Sequence, residues 1–153
     1  MVSSGMPGKK NFCYEYPRPA VTVDLVVLSG KDKPRVLLIR RKNEPFAGMW
    51  AIPGGFVDMD ESLEDAARRE LHEETGATVG RIEQLHTFGD PKRDPRGRTI
   101  SVVYLARVNA SKVHPKGGDD AAEAAWHSLD RPPQLAFDHA KILACVRRRL
   151  RKR

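Results

Sequence analysis

The chain has 153 residues, of which 40% are hydrophobic, and a formal net charge of +7 at pH 7. This size and composition support one domain with a buried core and are too small for two such domains. The sequence contains two cysteines without metal-ligand spacing, a polar start and no apolar run of membrane-spanning length. These features exclude a cysteine-based metal centre and a transmembrane protein, and they indicate a cytoplasmic location.

The first part of the chain predicts an N-terminal extension followed by two strands. Residues 1–19 form the extension, and residues 20–28 and 35–40 are rich in the β-branched and apolar side chains that are typical of strands. A turn with the sequence Gly-Lys-Asp-Lys-Pro joins the two strands. Residues 42–49 contain a proline and a glycine and predict a loop, and a Pro-Gly-Gly sequence further on predicts a second loop in front of a helix.

Residues 63–75 predict a single helix of about three and a half turns. Ser62 is a candidate N-cap, with Asp65 three residues further on, as in a capping box. Gly76 follows at the position where many helices end in a left-handed residue. No Gly or Pro interrupts the segment, in which the helix formers Ala, Leu, Arg and Glu predominate.

Three acidic residues of this helix predict a metal site. The apolar stripe at positions 63, 66, 67 and 71 places Glu70 and Glu74 on or beside the buried side, with Glu73 one step away. Carboxylates in such positions are unfavourable without compensation, and they raise one another's pKa values. A Mg²⁺ ion, which takes oxygen ligands and also binds substrate phosphates, would resolve both problems. The alternative is a solvated acidic face, which is the usual role of a Glu-rich helix.

Two neighbours of these acids have supporting roles in this interpretation. Arg69 is expected to orient a nearby carboxylate through a salt bridge rather than to bind substrate, because its planar fork fits carboxylates. Gly54 lies in the preceding loop, where the backbone of a glycine can approach a metal or a phosphate and offer its carbonyl as a further ligand. A simple strand-to-helix turn would also explain the glycines.

The second half of the chain predicts further strands and a last helix. The strands are expected at residues 81–88, 99–108 and 124–128, with a loop at 114–120 and a helix at 136–149. Strands with interspersed helices indicate an α/β sandwich.

Residues 147–153 form a basic tail that contains six arginine or lysine residues. Such a cluster can contact nucleic acid or another anionic partner. The solvated end of a helix is the more common explanation, because cations there face the negative end of the helix dipole. No aromatic residues interleave these charges in the sequence, so a nucleic-acid partner is not expected.

Residues 55–77 carry a specific motif. It consists of Gly55, Glu61, Arg69-Glu70-Leu71, Glu73-Glu74 and Gly76-Ala77, in the spacing of the Nudix box. At average residue usage a chance match is on the order of one in a billion per start position. By this motif the chain resembles the Nudix hydrolases, over residues 20–146.

The resemblance implies an α/β/α sandwich around a mixed β-sheet. It also implies hydrolysis of a nucleoside diphosphate linked to another group, with Mg²⁺ as the cofactor and Mn²⁺ as a possible substitute. By the same resemblance, the metal ligands are Glu70, Glu73, Glu74 and the carbonyl of Gly54, and Glu61 matches the first acid of the box.

Segments outside the box resemble the ADP-ribose pyrophosphatase branch of that family. They are residues 40–46, 50–57, 88–91, 93–97, 118–121 with Trp126, and 137–139. The branch implies cleavage of ADP-ribose to AMP and ribose 5-phosphate by a homodimer. It also contains ADP-ribose-binding regulators with a C-terminal DNA-binding domain, but this chain stops at Arg153 and its metal acids are intact, so we expect an enzyme. The alternatives are a Nudix hydrolase of an oxidised dNTP, NADH or a dinucleoside polyphosphate, and a non-catalytic ADP-ribose sensor.

Three carboxylates are candidates for the base that takes a proton from the attacking water. They are Glu73 in the box and, on the later loop, Asp120 or Glu123. The sequence does not choose among them, and the two later residues could equally belong to a solvated acidic loop.

Substrate specificity is expected to come from residues outside the box. Phe46 is a candidate for stacking on adenine, and Arg40, Arg93 and Arg96 are candidates for holding phosphate or ribose. Each has a structural alternative, since Phe46 could anchor its loop and residues 93–96 could form a rigid β-turn with an internal ion pair. His139 is expected to pack in a helix interface with one ring nitrogen hydrogen-bonded.

Overall fold

A computed structural model describes residues 12–118 and 120–152 of the chain, so most of the predicted extension at 1–19 lies outside the described residues. Its helices are α1 (Leu63–Thr75) and α2 (His139–Arg151), and a short 3-10 helix spans Ala110–Lys112. The strands are β1 (Ala20–Ser29), β2 (Arg35–Arg41), β3 (Trp50–Ala51), β4 (Gly54–Phe56), β5 (Ile82–Phe88), β6 (Thr99–Val108) and β7 (Ala121–Ser128).

These strands belong to one mixed sheet built around β1. Strand β1 pairs in parallel with β6 along its whole length. Its other edge pairs antiparallel with β2 at one end and with β4 at the other. Strand β5 extends the sheet beyond β6, and both β3 and β7 pair with β2. The predicted mixed sheet is therefore confirmed.

The side chains of β1 alternate between two hydrophobic cores, because successive residues of a strand face opposite sides of a sheet. One core contains Leu25 together with Leu71 of α1. The other contains Val26 together with Leu143 of α2. A helix thus covers each face of the sheet, which confirms the α/β/α sandwich.

The predicted bounds of α1 agree with the structure. The Oγ atom of Ser62 accepts a hydrogen bond from the backbone nitrogen of Asp65 at 3.1 Å, which caps the first turn. Gly76 ends the helix in a left-handed conformation with a φ of 70°. The apolar side of the helix is buried against the sheet, so the acids beside it are held close to the strand ends.

The loop predicted at the Pro-Gly-Gly sequence is wrong in part, because Gly54–Phe56 is the short strand β4. Gly54 and Gly55 pair with residues of β1. A Cβ atom on Gly54 would collide with the carbonyl oxygen of Val23, and one on Gly55 would lie 2.5 Å from the carboxylate of Glu70. Glycine therefore allows an approach between this strand, β1 and α1 that any larger residue would prevent.

Two further boundaries differ from the sequence prediction. Strand β7 begins at Ala121 rather than at 124, because its first residues pair with the end of β2. Helix α2 begins at His139 rather than at 136, because Phe137 has a left-handed φ of 51° that a helix does not accommodate. The helix continues to Arg151, so most of the predicted basic tail is helical. None of the helices in the described ranges combines the length and apolar character needed to cross a bilayer.

Candidate active site

The acidic side of α1, the glycines of β4 and the end of β2 enclose a cleft of about 360 Å³, which we call the central cleft. The residues that line it and bear on its chemistry are Arg41, Gly54, Gly55, Phe56, Glu70, Glu74, Arg96 and Asp120. A smaller recess shares several of these residues and extends toward Asp24 and His139. The cleft therefore brings carboxylates and guanidinium groups together around one opening.

Glu74 is the most deeply buried acid of the cleft, with 7% of the residue exposed. Its Oε2 atom accepts a hydrogen bond from the backbone nitrogen of Gly54 at 3.0 Å. Burial first, and then the charges of Glu70 and Asp24, raise the pKa of Glu74 to about 8 against the opposing effect of the hydrogen bond from Gly54. The ionised form of Glu74 therefore needs a nearby positive charge.

Arg69 joins the outer acids of the helix. Its Nη1 atom donates to Glu70 at 2.8 Å and to Glu73 at 3.1 Å. Its Nε and Nη2 atoms donate to the two carboxylate oxygens of Glu61 at 2.9 and 2.6 Å. The hydrogen bond from Arg69 lowers the pKa of Glu61, whereas burial raises the pKa of Glu70 in spite of Arg69. Each nitrogen of the Arg69 guanidinium thus donates to at least one carboxylate.

The residues around Glu74 fit a divalent cation by their chemistry. Glu70, Glu73 and Glu74 lie on one side of α1, where Glu74 contacts Gly54 and Glu70 lies against Gly55. Glu73 does not line the central cleft. Hard cations such as Mg²⁺ prefer oxygen ligands of this kind. Burial raises the pKa values of Glu70 and Glu74, so a cation beside them would stabilise their ionised forms. Within the described ranges no three acidic, His or Cys side chains already converge as a metal site, and Arg69 contacts the oxygens of Glu70 and Glu73 instead.

Arg41 is a cleft residue that the sequence reasoning missed in favour of its neighbour Arg40. It lies at the end of β2, where its Nε atom donates to the carbonyl of Pro45 at 2.9 Å. Its guanidinium carbon lies 4.9 Å from the ring centre of Phe137. Burial lowers the pKa of Arg41, and the charge of Arg96 lowers it further. Arg40 lies in an exposed ion pair with Glu123, at 3.5 Å, and does not line the cleft.

Arg96 is the second guanidinium of the cleft and is held in place from three sides. Asp94 accepts hydrogen bonds from its Nε and Nη2 atoms at 3.0 and 2.7 Å. The ring centres of Phe56 and Phe137 lie 4.8 and 5.1 Å from its guanidinium carbon. Burial opposes the ionisation of Asp94, but the hydrogen bonds from Arg96 outweigh it and lower the pKa of Asp94. The side chain of Arg96 remains 39% exposed, so a ligand can reach it.

Two other predicted substrate residues make structural contacts. The guanidinium of Arg93 donates to both carboxylate oxygens of Asp138, at 2.9 and 2.6 Å, and only 5% of its side chain is exposed. Phe46 packs edge-on against Phe137, with 4.8 Å between the ring centres. Phe46 thus lies where a loop anchor would lie, and Arg93 borders the recess rather than the central cleft.

The three candidate bases occupy different positions. Asp120 lines the central cleft and accepts a hydrogen bond from the Nδ2 atom of Asn43 at 3.0 Å. Glu73 is 42% exposed at its side chain and is bound to Arg69. Glu123 lies on β7, where its partner is Arg40, and it is not a cleft residue. The neighbouring acid at position 119 lies outside the described residues.

His139 packs at the start of α2 and closes the recess. Its Nδ1 atom accepts a hydrogen bond from the backbone nitrogen of Ile52 at 3.0 Å, as expected for a packing residue. Its Nε2 atom lies 3.6 Å from Asp24, which also accepts a short hydrogen bond from Ser101. Burial lowers the pKa of His139, so the neutral ring is favoured.

Comparisons with known proteins place this fold in a family. The sequence matches the family model described as NUDIX domain over residues 18–149. It is 46% identical over 128 residues to the ADP-ribose pyrophosphatase of Methanocaldococcus jannaschii, which covers 84% of this chain and 73% of that protein.

Two further relatives have names that refer to ADP-ribose. The ADPR responsive transcriptional repressor NtrR of Acinetobacter baylyi is 38% identical, over 84% of this chain and 53% of that protein, so this chain spans about half of its length. The solved NUDIX domain of Shewanella oneidensis NrtR complexed with ADP ribose has a TM-score of 0.78 and 36% identity, over 88% of this chain and 90% of that one.

Proposed function

Because this chain belongs to the Nudix family of hydrolases, we propose that it cleaves the diphosphate of ADP-ribose to AMP and ribose 5-phosphate. The observation that carries this proposal is the cleft in which Glu70 and Glu74 face Arg41 and Arg96. Carboxylates that need a cation and guanidiniums that need an anion are the complementary groups for a metal-bound diphosphate. The choice of ADP-ribose is supported by the 46% identity with the archaeal ADP-ribose pyrophosphatase.

The proposed cofactor is Mg²⁺, with Mn²⁺ as a substitute, held by Glu70, Glu73, Glu74 and the carbonyl of Gly54. When bound, such a cation neutralises diphosphate oxygens and acidifies the attacking water. The carboxylate of Glu74 would then be ionised and compensated in spite of its burial. Arg69 would remain paired with Glu61 through two hydrogen bonds, which keeps its guanidinium positioned beside the acids.

Arg41 and Arg96 are the proposed diphosphate-binding residues. Guanidinium groups bind phosphate oxygens through paired hydrogen bonds, and both of these groups line the cleft. A bound anion would relieve the repulsion from Arg96 that helps to lower the pKa of Arg41. Phe56, which is 43% exposed, is the aromatic ring open to the adenine, whereas Phe46 is packed against Phe137.

Asp120 is the proposed general base. Asp120 lines the central cleft, whereas Glu73 and Glu123 do not. Among the described residues, Glu73 forms an ion pair with Arg69 and Glu123 forms one with Arg40, but Asp120 forms no ion pair with an arginine. Its hydrogen bond from Asn43 fixes the direction of the carboxylate. A fixed carboxylate at the cleft wall can take the proton of a water that attacks the diphosphate phosphorus.

Turnover of a panel of nucleotides tests the substrate. The nucleoside monophosphates released from ADP-ribose, NADH, an oxidised dNTP and a dinucleoside polyphosphate would be separated and quantified by chromatography, each reaction with Mg²⁺. We expect the highest kcat/KM for ADP-ribose. Comparable or faster cleavage of the dNTP would overturn the proposal that ADP-ribose is the substrate, but the chain would still be a hydrolase.

An ADP-ribose sensor is the second candidate, favoured by the similarity to the Acinetobacter repressor. It predicts tight binding of ADP-ribose, with no AMP formed on prolonged incubation with either Mg²⁺ or Mn²⁺. Calorimetry and product analysis on the same sample separate the two functions. The homodimer and the cytoplasmic location remain predictions, and light scattering measures the former.

A further inference from the structure

A row of cations lies along the exposed side of α2. Lys141, Arg148 and Lys152 are separated by seven and four residues, so they lie on one stripe of the helix. Arg149 lies beside this stripe, and its Nη2 atom is 3.8 Å from a carboxylate oxygen of Glu83 on β5. The stripe therefore borders strand β5 at the edge of the sheet. By helix rise, the distance from the first to the last of these cations is about 16 Å.

Three hollows are lined in part by strand β5, and the second and third are also lined by α2. We call the three together the basic groove. The first, of about 450 Å³, is lined by Arg81 and Arg107. The second, of about 150 Å³, is lined by Arg148, Arg149 and Lys152. The third, of about 320 Å³, is lined by Lys141 and again by Arg148. Arg148 borders two of the hollows, and the contact between Arg149 and Glu83 connects the first to the second.

The helix dipole does not account for this charge distribution. Cations in the last turn of α2 suit the negative end of the dipole, but Lys141 lies in the first turn, where a cation is unfavourable. Arg81 and Arg107 belong to the sheet side of the groove. Their charges therefore need a different explanation, such as an anionic partner. Glu83 and Asp90 are the carboxylates that line the groove, against six lysine or arginine residues.

The fold also brings aromatic side chains to the groove, although none interleave the basic residues in the sequence. His86 and Phe88 of β5 line the third hollow, with 5.1 Å between their ring centres. His86 is exposed and Phe88 is half-buried. A cationic groove combined with rings on which bases can stack is the arrangement that binds single-stranded nucleic acid. The large exposed hydrophobic side chains of the described residues lie elsewhere, which disfavours insertion into a membrane.

We propose that the basic groove binds single-stranded nucleic acid, with its phosphates along α2 and a base against His86. The residues that line the groove are separate from those of the central cleft, so this binding is distinct from the hydrolysis of a nucleotide.

Fluorescence anisotropy of the full chain with labelled oligo(U) and oligo(dT) of about 12 nucleotides tests the proposal. The variant carries Arg148→Glu with Lys152→Glu, and the matched control carries Lys112→Glu with Lys116→Glu. The control changes the same charge at two exposed lysines outside the groove. Melting temperatures would be measured for both, to establish that the proteins are folded.

We expect the groove variant to lose at least about tenfold in affinity for both oligonucleotides while the control loses less than about twofold. If about four phosphates are neutralised, the plot of log affinity against log salt has a slope of about −3, and the variant has a shallower one. A blunt duplex of the same length should bind more weakly, because its bases are not free to stack on His86.

Four outcomes would overturn the proposal. The first three are equal loss of affinity in the groove variant and in the control, equal binding of duplex and single strands, and displacement of the bound oligonucleotide by poly-glutamate as effectively as by unlabelled oligonucleotide. Binding to phosphatidylserine vesicles without binding to either oligonucleotide would also overturn it and would assign the groove to a membrane surface. If the groove variant does not fold, His86→Ala provides the second measurement, with weaker single-strand binding expected at an unchanged melting temperature.

Discussion

The Oε2 atom of Glu74 lies 3.0 Å from the backbone nitrogen of Gly54, which joins the end of α1 to strand β4. Gly54 in turn pairs with Asp24 of β1. The position of the buried carboxylate is therefore set by the backbone of the sheet rather than by another side chain. This hydrogen bond holds the acidic side of α1 next to β4. We propose the carbonyl of Gly54 in β4 as a further metal ligand.

The first prediction concerns the change Glu74→Gln. Glutamine has nearly the same shape but cannot supply the negative charge that the proposed metal needs, so kcat for ADP-ribose should fall by about 100-fold or more. Because the amide removes a buried carboxylate that is unfavourable without a cation, the melting temperature without metal should stay the same or rise. Steady-state kinetics and calorimetry measure both effects.

The matched control for this variant is Glu64→Gln, since Glu64 is an exposed acid of the same helix. Its kcat should stay close to that of the unchanged protein. Full activity in the Glu74 variant, or equal losses in both variants, would contradict the metal site on α1.

The second prediction concerns the removal of metal. Glu70 and Glu74 both have raised pKa values because of burial, and each lies close to the other acid. A cation that compensates them binds the folded chain and not the unfolded one, and at about 100 times its Kd it adds about 2.7 kcal/mol of stability. We therefore expect Mg²⁺ to raise the melting temperature relative to EDTA, and to do so much less in the Glu74→Gln variant. An identical shift in both proteins would place the bound ion elsewhere.

The third prediction separates the candidate bases. Asp120→Asn should lower kcat by a factor between about 100 and 10,000, which is the range for a general base, with a small change in KM. Glu123→Gln should leave kcat within about threefold of the original value, because its carboxylate pairs with Arg40 outside the cleft. The same kinetic assay serves both variants. A larger loss for Glu123→Gln than for Asp120→Asn would transfer the role to Glu123.

The fourth prediction compares two adjacent arginines. Arg41→Lys keeps a positive charge but removes the planar fork that binds phosphate oxygens in pairs, so kcat/KM should fall about tenfold or more. Arg40→Lys should change kcat/KM by less than about twofold, because Arg40 forms an exposed ion pair. If the two variants behave alike, the cleft position of Arg41 has no bearing on substrate binding.

Local signals in the sequence were sufficient for α1 and its caps. The side chain of Ser62, the left-handed Gly76 and the apolar stripe act within a few residues, so the helix and its acidic side could be predicted in full. The strand pattern predicted an α/β sandwich, and the family resemblance predicted the mixed sheet. Strand β4 could not be predicted, because it exists through pairing with β1 and through the small size of Gly54.

The identity of the cleft residues depends on contacts that no local pattern encodes. Arg40 and Arg41 are alike in composition and propensity, and only the register of β2 against β7 directs one to Glu123 and the other to the cleft. The same holds for Phe46 and Phe56, since the packing of Phe137 decides which ring stays open. The sequence alone therefore predicted the residue types of this site, but it could not predict the strand register and the packing that bring particular residues into the cleft.

The fifth prediction concerns the stability of the protein in mild acid. The folded-state pKa of His139 is lowered, first by burial and then by the charges of Arg93 and Arg41, against the opposing charges of Asp24 and Asp138. The unfolded chain, whose histidines have a pKa of about 6.5, therefore binds more protons than the folded chain just below that pH. Stability contributed by the neutral ring is present above about pH 6.5 and decreases as the pH falls through it.

Urea denaturation followed by tryptophan fluorescence measures this effect. As the pH is lowered from about 7.5 to about 5.5, the stability contributed by His139 should fall by at most about 1.4 kcal/mol per pH unit. The raised pKa of Glu74 acts in the opposite direction, so the effect of His139 is obtained from the difference between a variant and the unchanged protein. His139→Gln retains an acceptor for the backbone nitrogen of Ile52, and its free energy of unfolding should increase relative to that of the unchanged protein as the pH falls, because no buried ring has to be protonated. His72→Gln is the control, because His72 is an exposed residue of α1 and should leave the pH dependence as it was. If His139→Gln retains the full pH dependence, another group, such as His127, whose pKa burial also lowers, is responsible.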